Sequence, residues 1–418
     1  MIAPLRIAVL SVHTCPLAVL GGKKTGGMNV YVREMSRELG RLGVRVDVFT
    51  RAQGLCAPHI SDGELAPNVR VIHLVAGPEE PLSTRQIYEH LPEFEAGVRG
   101  FAEEQGIAYD LIHSHYWLSG WVAERLRESW GIPFIQMFHT LGLMKNRIAA
   151  SESELEPPLR IETEQAIVQS ADALIAATPA ERIQLMWLYR ANMRKIRVIP
   201  PGVDLQHFCP IPREIAKQVV GIAPQHRMLL YVGRIEPLKG IDTLLHGLTT
   251  LKEQMGGDVH DLCLSIIGGT PEDADHQDEE MQRLRLLREE LGLGDLVTFL
   301  GARGQETLQY YYSAAEVVLM PSHYESFGMV ALEAMACGTP VITSEVGGLA
   351  YLVQNGITGF HVPTNAPDEL AGKIKLLLDN PNLRSEMSQA AAEHARAYAW
   401  GNIARQIESV YRDVMHPH

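Results

Sequence analysis

Cysteine is scarce in this chain, and no two cysteines form a Cys-x-x-Cys pair. The five thiols are scattered along the sequence at Cys15, Cys56, Cys209, Cys263 and Cys337. An odd, dispersed set argues against a disulfide framework and against a cysteine-based zinc site. We therefore expect reduced thiols and a cytoplasmic protein.

Long apolar runs and an excess of positive charge are also missing. No stretch reaches the ~18 consecutive apolar residues of a membrane span, and residues 1–12 lack the pattern of a signal peptide. Lys and Arg total 37 against 50 Asp and Glu, which gives a formal net charge of −13. This balance argues against nucleic-acid and membrane partners, and any phosphate site requires a local cluster of cations.

Apolar strands alternate with amphipathic helices through most of the chain. With 418 residues and 46% hydrophobic content, two or three domains can each bury a core. Residues 6–12 and 44–50 predict two strands that flank a helix, and the pattern restarts at residues 228–233 after a Pro- and Gly-containing segment. The alternation predicts two parallel-sheet α/β halves.

Glycines cluster at residues 21–27 without following Gly-x-Gly-x-x-Gly order, so the first half carries no dinucleotide fingerprint. Glycine pairs around Lys23 and Lys24 let the backbone approach a ligand near the positive end of the next helix. A merely flexible loop explains this segment equally well.

Residues 321–340 form a predicted turn and helix after the apolar strand at 317–320. Glu325 lies in the turn and Glu333 in the helix, about 12 Å apart by helical rise, a distance comparable with that from a sugar ring to the ribose across a diphosphate. The free N–H groups of the helix start lie between them and suit phosphate. Two solvated glutamates are the simpler alternative.

Further polar residues follow predicted strands. Arg234 and Lys239 share one turn and can converge on one anion, and His139 ends a strand on the ligand side of an open α/β sheet. His113 and His115 are expected to be buried and hydrogen-bonded rather than metal ligands. The acidic segment 271–280 lacks EF-hand spacing and predicts a solvated loop.

The strings Glu325-Ser326-Phe327-Gly328, Glu333 and Gly347-Gly348 resemble the donor-site signature of retaining glycosyltransferases with the GT-B fold. The resemblance extends over nearly the whole chain. It implies two Rossmann-like, doubly wound domains facing across a cleft: residues 1–205 for the acceptor and 206–398 for a nucleotide-sugar. Residues 399–418 form a helix that crosses back to the first domain.

Shorter segments resemble two families within that group. Residues 25–32 are similar to the Thr-Gly-Gly loop of sucrose-phosphate synthases and, more closely, to the matching loop of inositol-phosphate glycosyltransferases. Residues 88–94 resemble the sucrose-phosphate synthase pattern. Residues 160–164 resemble the acceptor-phosphate arginine region of both families.

The resemblance implies a set of site residues. Catalytic residues are His139, Glu325, Arg234 and Lys239. Donor-binding residues are Gly26, Gly27, Arg234, Lys239, Glu325, Ser326, Phe327, Gly328, Met329 and Glu333. Acceptor-binding residues are Lys24, Met28, Asn29, Arg85, Tyr116, Thr140, Lys145 and Arg160.

The activity implied is retaining transfer of a hexosyl group, with UDP-glucose as donor and fructose 6-phosphate as acceptor. UDP-N-acetylglucosamine with an inositol phosphate is the alternative. We expect no metal or other cofactor, and a separate phosphatase acting on the product, because no Asp-x-Asp-x-Thr/Val motif follows residue 400. Readings of other classes are a catalytically silent sugar-nucleotide sensor, an epimerase and a pyridoxal-dependent phosphorylase.

Overall fold

The computed structural model describes residues 4–18, 26–54, 59–149, 152–269 and 279–416. Its chain divides into two compact units. Unit 1 comprises the described parts of Met1–Ala18, Thr25–Pro201 and Trp400–His418, and unit 2 includes Gly202–Ala399.

Unit 1 is built on one sheet. Its strands are β1 (Arg6–Leu10), β2 (Arg45–Arg51), β3 (Ile60–Asp62), β4 (Val69–Leu74), β5 (Leu111–His115), β6 (Phe134–Met137), β7 (Ala173–Ala176) and β8 (Ile196–Val198). Its helices up to Pro201 are α1 (Gly27–Arg41), α2 (Thr84–Glu89), α3 (Leu91–Glu104), α4 (Tyr116–Trp130), α5 (Gly142–Ile148), α6 (Pro158–Ser170) and α7 (Pro179–Leu188).

The strands of this sheet lie in the order β3-β4-β2-β1-β5-β6-β7-β8. All pairings are parallel except the edge pair β3–β4, which is antiparallel and departs from the predicted all-parallel sheet. The core is formed by buried residues of the central strands and of the helices packed on them, such as Ile112, Phe134 and Leu118. The strand β1 therefore pairs with β2 on one side and with β5 on the other. The strands that follow β1 in sequence up to β4 lie on the first side, and those from β5 onward lie on the second.

Unit 2 contains a second sheet. Its strands are β9 (Arg227–Val232), β10 (Leu262–Ile267), β11 (Val297–Gly301), β12 (Ala315–Met320), β13 (Val341–Ser344) and β14 (Gly359–Val362). Its helices are α8 (Arg213–Val220), α9 (Ile241–Gln254), α10 (Glu279–Glu290), α11 (Gln305–Ala314), α12 (Met329–Ala336), α13 (Leu349–Leu352), α14 (Pro367–Asp379) and α15 (Pro381–Ala395).

The order of these strands is β11-β10-β9-β12-β13-β14, and all of their pairings are parallel. Counted within unit 2 this is 3-2-1-4-5-6, the order of a Rossmann fold. The apolar strands are buried because helices cover both faces of such a sheet. Two Rossmann-like parallel-sheet units confirm the predicted fold class.

The last helix, α16 (Trp400–Met415), belongs to unit 1. Its buried residues Trp400, Ile403, Ile407 and Tyr411 recur at three- and four-residue spacing, so they share one face. Trp400 packs edge-on against Tyr31 of α1, with ring centroids 5.4 Å apart. The sequence placed the unit boundaries at 205/206 and 398/399, and the compact units divide at 201/202 and 399/400.

Candidate active site

The predicted donor-site residues of unit 2 follow two neighbouring strands. β9 and β12 are paired in parallel, and the strand order reverses between them. In open α/β sheets the ligand crevice lies beyond the carboxyl ends of the strands at such a switch point. The turn that carries Arg234 and Lys239 leaves β9 there, and the turn that carries Glu325 leaves β12.

Lys239 and Glu325 form an ion pair across these two turns. Their side chains are 15% and 17% exposed, so both still reach the surface of unit 2. Arg234 lies on the same turn as Lys239 but pairs with Glu236 at 2.6 Å, and its side chain is 58% exposed. The structure thus joins one predicted cation to one predicted acid, and leaves the second cation pointing to solvent.

Close backbone contacts hold the two turns against each other. The N–H of His323 donates to the carbonyl of Leu238 at 2.9 Å. Gly240 has φ 64°, and a Cβ there would lie 2.1 Å from the carbonyl oxygen of Pro321. Only glycine fits this position, because both the left-handed backbone and the contact exclude a side chain.

The two glycines Gly347 and Gly348 lie against the backbone of Glu325. Gly347 has φ 46°, and a Cβ there would lie 1.9 Å from the carbonyl oxygen of Glu325. The N–H of Gly348 donates to that same carbonyl at 2.9 Å. The pair therefore fixes the backbone of Glu325 through direct contact.

Helix α12 starts immediately after this turn, with Gly328 as its N-cap at φ 105°. Its first N–H groups have no intrahelical acceptor and carry the positive end of the helix dipole. Ser326 and Met329 are partly exposed, whereas Phe327 is 5% exposed and packs near Tyr398. The side chain of Phe327 is therefore packed within unit 2.

Glu333 is 7% exposed on α12 and accepts a hydrogen bond from the Tyr312 hydroxyl at 2.8 Å. Burial, and then the charge of Glu333, raise the pKa of Tyr312 well above its ordinary value. The phenol therefore stays protonated and holds the carboxylate by donating to it. Tyr312 was not found by sequence reasoning, because it lies 21 positions away on another helix.

In unit 1 the corresponding edge of the sheet carries a row of histidines. His115 Nδ1 lies 3.0 Å from His139 Nε2, and His113 Nδ1 lies 2.8 Å from the Tyr411 hydroxyl of α16. His113 and His115 are buried, which confirms the prediction of buried, hydrogen-bonded histidines. His139 has φ 61°, an uncommon backbone conformation outside glycine that occurs at functional sites.

Burial keeps this row neutral. It lowers the pKa of His113 to about 3 and that of His115 well below its ordinary value. Burial, followed by the neighbouring His113 and His13, lowers the pKa of His139 to about 3 as well. In the contact between His115 and His139, one neutral ring donates and the other accepts.

Four predicted acceptor residues meet in one cluster around Arg160. Its guanidinium donates to the Tyr116 hydroxyl at 3.1 Å, to the Thr140 carbonyl at 3.0 Å and to the Thr140 hydroxyl at 3.1 Å. Lys145 forms an ion pair with Glu156, and the same carboxylate pairs with Arg160 Nη1 at 2.9 Å. Glu156 thus connects Lys145 to the cluster. Tyr116 has φ 73°, so the start of α4 is held in a strained conformation.

Glu164 completes the cluster from the core side. It is fully buried and accepts from Arg160 Nε at 2.8 Å and from the N–H of Gly142 at 3.0 Å. Burial alone would lower the pKa of Arg160, but Tyr116 and the two carboxylates raise it, so the guanidinium remains charged. Glu164 stands four positions after Arg160 on α6, a helical spacing that could have revealed it. Glu156 precedes the helix, so its contact with Arg160 does not follow from helical spacing.

The remaining predicted residues are not joined to that cluster. Asn29 is buried, donates to the Cys15 carbonyl at 2.8 Å and accepts from the N–H of Gly26 at 3.1 Å, so its side chain serves the start of α1. Gly27 and Arg85 are exposed, and Met28 is partly exposed. Lys24 lies outside the described residues, as does most of the acidic segment 271–280.

None of the helices in the described part of the chain is long and apolar enough to cross a membrane. No group of three or more His, Cys, Asp or Glu in the described ranges is placed to hold a metal ion.

Each of the two units matches a known protein family. The family model described as "Glycosyl transferases group 1" matches residues 212–394, and the "Glycosyl transferase 4-like domain" matches residues 26–202. A D-inositol 3-phosphate glycosyltransferase of Actinosynnema mirum is 41% identical over 413 residues, 98% of each chain. This chain belongs to the GT-B glycosyltransferases.

A second curated relative and two solved structures are also similar to this chain. D-inositol 3-phosphate glycosyltransferase 2 of Catenulispora acidiphila is 41% identical over 409 residues. The match covers 98% of this glycosyltransferase and 95% of the relative. The structure of a sucrose-phosphate synthase from Thermosynechococcus elongatus is 36% identical, with a TM-score of 0.88 over 98% of both chains. An Anabaena protein, HepE, solved in complex with UDP and glucose, shares the fold at 20% identity, with a TM-score of 0.75 over 98% of this chain and 100% of its own.

Proposed function

We propose that this glycosyltransferase moves a hexosyl group, with retention at the anomeric carbon, from a nucleoside diphosphate sugar to a hydroxyl of a phosphorylated acceptor. The observation that carries the proposal is the Lys239–Glu325 pair at the switch point of unit 2. A cation and an acid held together there suit a diphosphate and the hydroxyls of its sugar.

Each donor residue has a role that follows from its position. Lys239, Arg234 and the N-terminus of α12 stabilise the negative charge that develops on the diphosphate. Glu325 orients the hexose hydroxyls, and Glu333, held by Tyr312, binds the ribose hydroxyls. We propose that this positive field acts without a metal ion.

The transfer itself exchanges one bond for another. The bond between the anomeric carbon and the diphosphate oxygen breaks, and the acceptor oxygen bonds to the same face of that carbon. The departing diphosphate takes the proton of the acceptor hydroxyl. His139, neutral and held by His115, contacts the hexose through its ring or its backbone.

For the acceptor we propose an inositol phosphate, with its phosphate at Lys145, Arg160, Tyr116 and Thr140. The 41% identity to D-inositol 3-phosphate glycosyltransferases over nearly the whole chain supports this choice. Fructose 6-phosphate, which the sequence favours narrowly, is the second candidate, supported by the likeness to sucrose-phosphate synthase. Both acceptors present a phosphate to the same four side chains.

Release of the nucleoside diphosphate tests the proposal. The protein is incubated with UDP-glucose, UDP-N-acetylglucosamine, ADP-glucose or GDP-glucose, and with inositol 3-phosphate or fructose 6-phosphate, each with and without EDTA. We expect UDP release with one acceptor, undiminished by EDTA, and an α-linked product by NMR. No acceptor-dependent release from any pair contradicts the proposed transfer, and loss of release in EDTA contradicts the metal-free clamp.

A further inference from the structure

Arg160 is already satisfied within unit 1. A guanidinium presents five N–H donors, and each nitrogen of Arg160 faces an acceptor: Nε faces Glu164, Nη1 faces Tyr116 and Glu156, and Nη2 faces Thr140. Its side chain is 1% exposed. A phosphate can reach this guanidinium only by replacing one of these partners.

The partners differ in how easily they can leave. Glu164 is fully buried and bound also by Gly142 and Tyr189. Thr140 contributes its backbone carbonyl and its hydroxyl, and Tyr116 contributes its hydroxyl; these groups are neutral, so an anion gains no charge balance by replacing them. Glu156 is 18% exposed and sits at the surface side of the guanidinium. Among the hydrogen-bonding partners of Arg160, Glu156 is therefore the one that an incoming anion can displace.

Glu156 also neutralises the second cation of the cluster. Its Oε1 pairs with both Arg160 and Lys145, whose side chain is 40% exposed. One carboxylate oxygen thus bridges the two cations that the proposed acceptor phosphate would bridge. Burial raises the pKa of Glu156, but Arg160 and Lys145 outweigh it and hold that pKa below its ordinary value.

The backbone holds Glu156 in this position. Its N–H donates to Asn146 Oδ1 at 2.7 Å, and its carbonyl accepts from Asn146 Nδ2 at 3.5 Å. Pro157 and Pro158 follow directly and start α6, and proline restricts the residue before it. The carboxylate is therefore aimed at the two cations by the structure around it.

We propose that the Glu156 carboxylate occupies the place of the acceptor phosphate and is displaced when a phosphorylated acceptor binds. This inference rests on the proposed function and names a residue that sets its acceptor specificity. A phosphate monoester brings about two charges and three oxygens, so it can replace a single carboxylate. A neutral polyol brings no charge and leaves Glu156 in place, so unphosphorylated acceptors are rejected.

Calorimetric titration of the whole protein with inorganic phosphate tests this without requiring turnover. Glu156→Gln keeps the shape of the side chain and removes its charge, and we expect it to bind phosphate about fivefold more tightly than the wild type, the scale of one partly exposed ion pair. Glu162→Gln, on the exposed side of α6, is the matched control and should leave the affinity within twofold. Lys145→Ala should weaken phosphate binding in either background.

Unchanged or weaker phosphate binding by Glu156→Gln overturns the inference, as does an equal gain in Glu162→Gln. Should Glu156→Gln fail to fold, Glu156→Asp withdraws the carboxylate by one methylene group and should also tighten binding. Failure of the proposed function is separate, since it shows as absent nucleotide release while phosphate titrations still give an answer.

Discussion

The cations of unit 2 stand on turns at the surface, whereas the central cation of unit 1 is enclosed. Lys239 and Arg234 have side chains 15% and 58% exposed, and each pairs with one acid. Arg160 is 1% exposed and contacts two carboxylates, a tyrosine and a threonine. The cations of each unit lie beyond the carboxyl ends of parallel strands.

The difference in exposure predicts how much each ion pair contributes to the stability of the fold. Partly exposed pairs contribute about 1 kcal/mol or less to folding, so the charges on the turns of unit 2 add little to the stability of the fold. A buried pair is costly to break because the remaining charge has no partner. We therefore expect substitution of Lys239 in unit 2 to affect the reaction, and substitutions around Arg160 to affect folding first.

The largest effect is expected for Arg160→Ala, which leaves Glu164 buried without its cation. We expect a loss of about 3–5 kcal/mol in the free energy of unfolding, measured by urea denaturation of the variant and wild type. Arg412→Ala removes the exposed partner of Glu408 in the same unit and should cost about 1 kcal/mol or less. Equal losses in the two variants would contradict the distinction between the enclosed and the exposed ion pair.

Lys239→Ala should lower turnover roughly 10²- to 10³-fold, the effect of removing one group that stabilises the transition state. The melting temperature should stay close to that of the wild type because the Lys239–Glu325 pair is partly exposed. Lys375→Ala, which removes an exposed pair with Asp379 in the same unit, is the control and should leave both quantities unchanged. Near-normal turnover in Lys239→Ala would remove this lysine from the donor site.

Gly347→Ala should destabilise unit 2 by roughly 1–3 kcal/mol, because the added methyl group overlaps the Glu325 carbonyl. Gly26→Ala is the counterpart in unit 1. Gly26 has an extended backbone, and a Cβ there meets no atom of the described residues within 4 Å. Thermal unfolding should show the first loss and almost none for the second, and the reverse order would contradict the backbone account.

The last effect is a dependence of stability on pH. Burial lowers the pKa of His113 to about 3, so the unfolded chain takes up a proton near pH 6.5 before the folded chain does. The stability contribution is present above pH 6.5 and is lost as the pH falls toward 3, by at most ~1.4 kcal/mol per pH unit. His113→Gln should reduce this slope in denaturation curves between pH 4 and 7, with exposed His260→Gln as the control. An unreduced slope would contradict the burial argument.

The sequence predicts the fold class well, because it depends on local patterns. The strand at Val317–Met320 is readable from residue types alone, and β12 confirms it. The Gly347–Gly348 pair was named through the family resemblance, and in the structure it lies against the Glu325 carbonyl. The antiparallel pairing of β3 with β4 is decided by contacts between distant segments and was not predicted. The strands β13 and β14 are too short to stand out from their surroundings.

The acceptor cluster was predicted only as a set of residue names. That Arg160 is buried, and that Glu156 bridges it to Lys145, depends on the packing of α5 against α6. Asn29 was likewise named through its motif, and its contacts with Gly26 and Cys15 at the start of α1 were not predicted. Motifs identify which residues share a region, and only tertiary contacts show which hydrogen-bonding groups remain for a ligand.

A crystal structure of the protein with UDP-glucose tests the central claim most directly. The account predicts the diphosphate within about 3 Å of Lys239 Nζ and of the first N–H groups of α12, with the ribose at Glu333 and the hexose at Glu325. A donor bound elsewhere, with these groups unchanged, would contradict it.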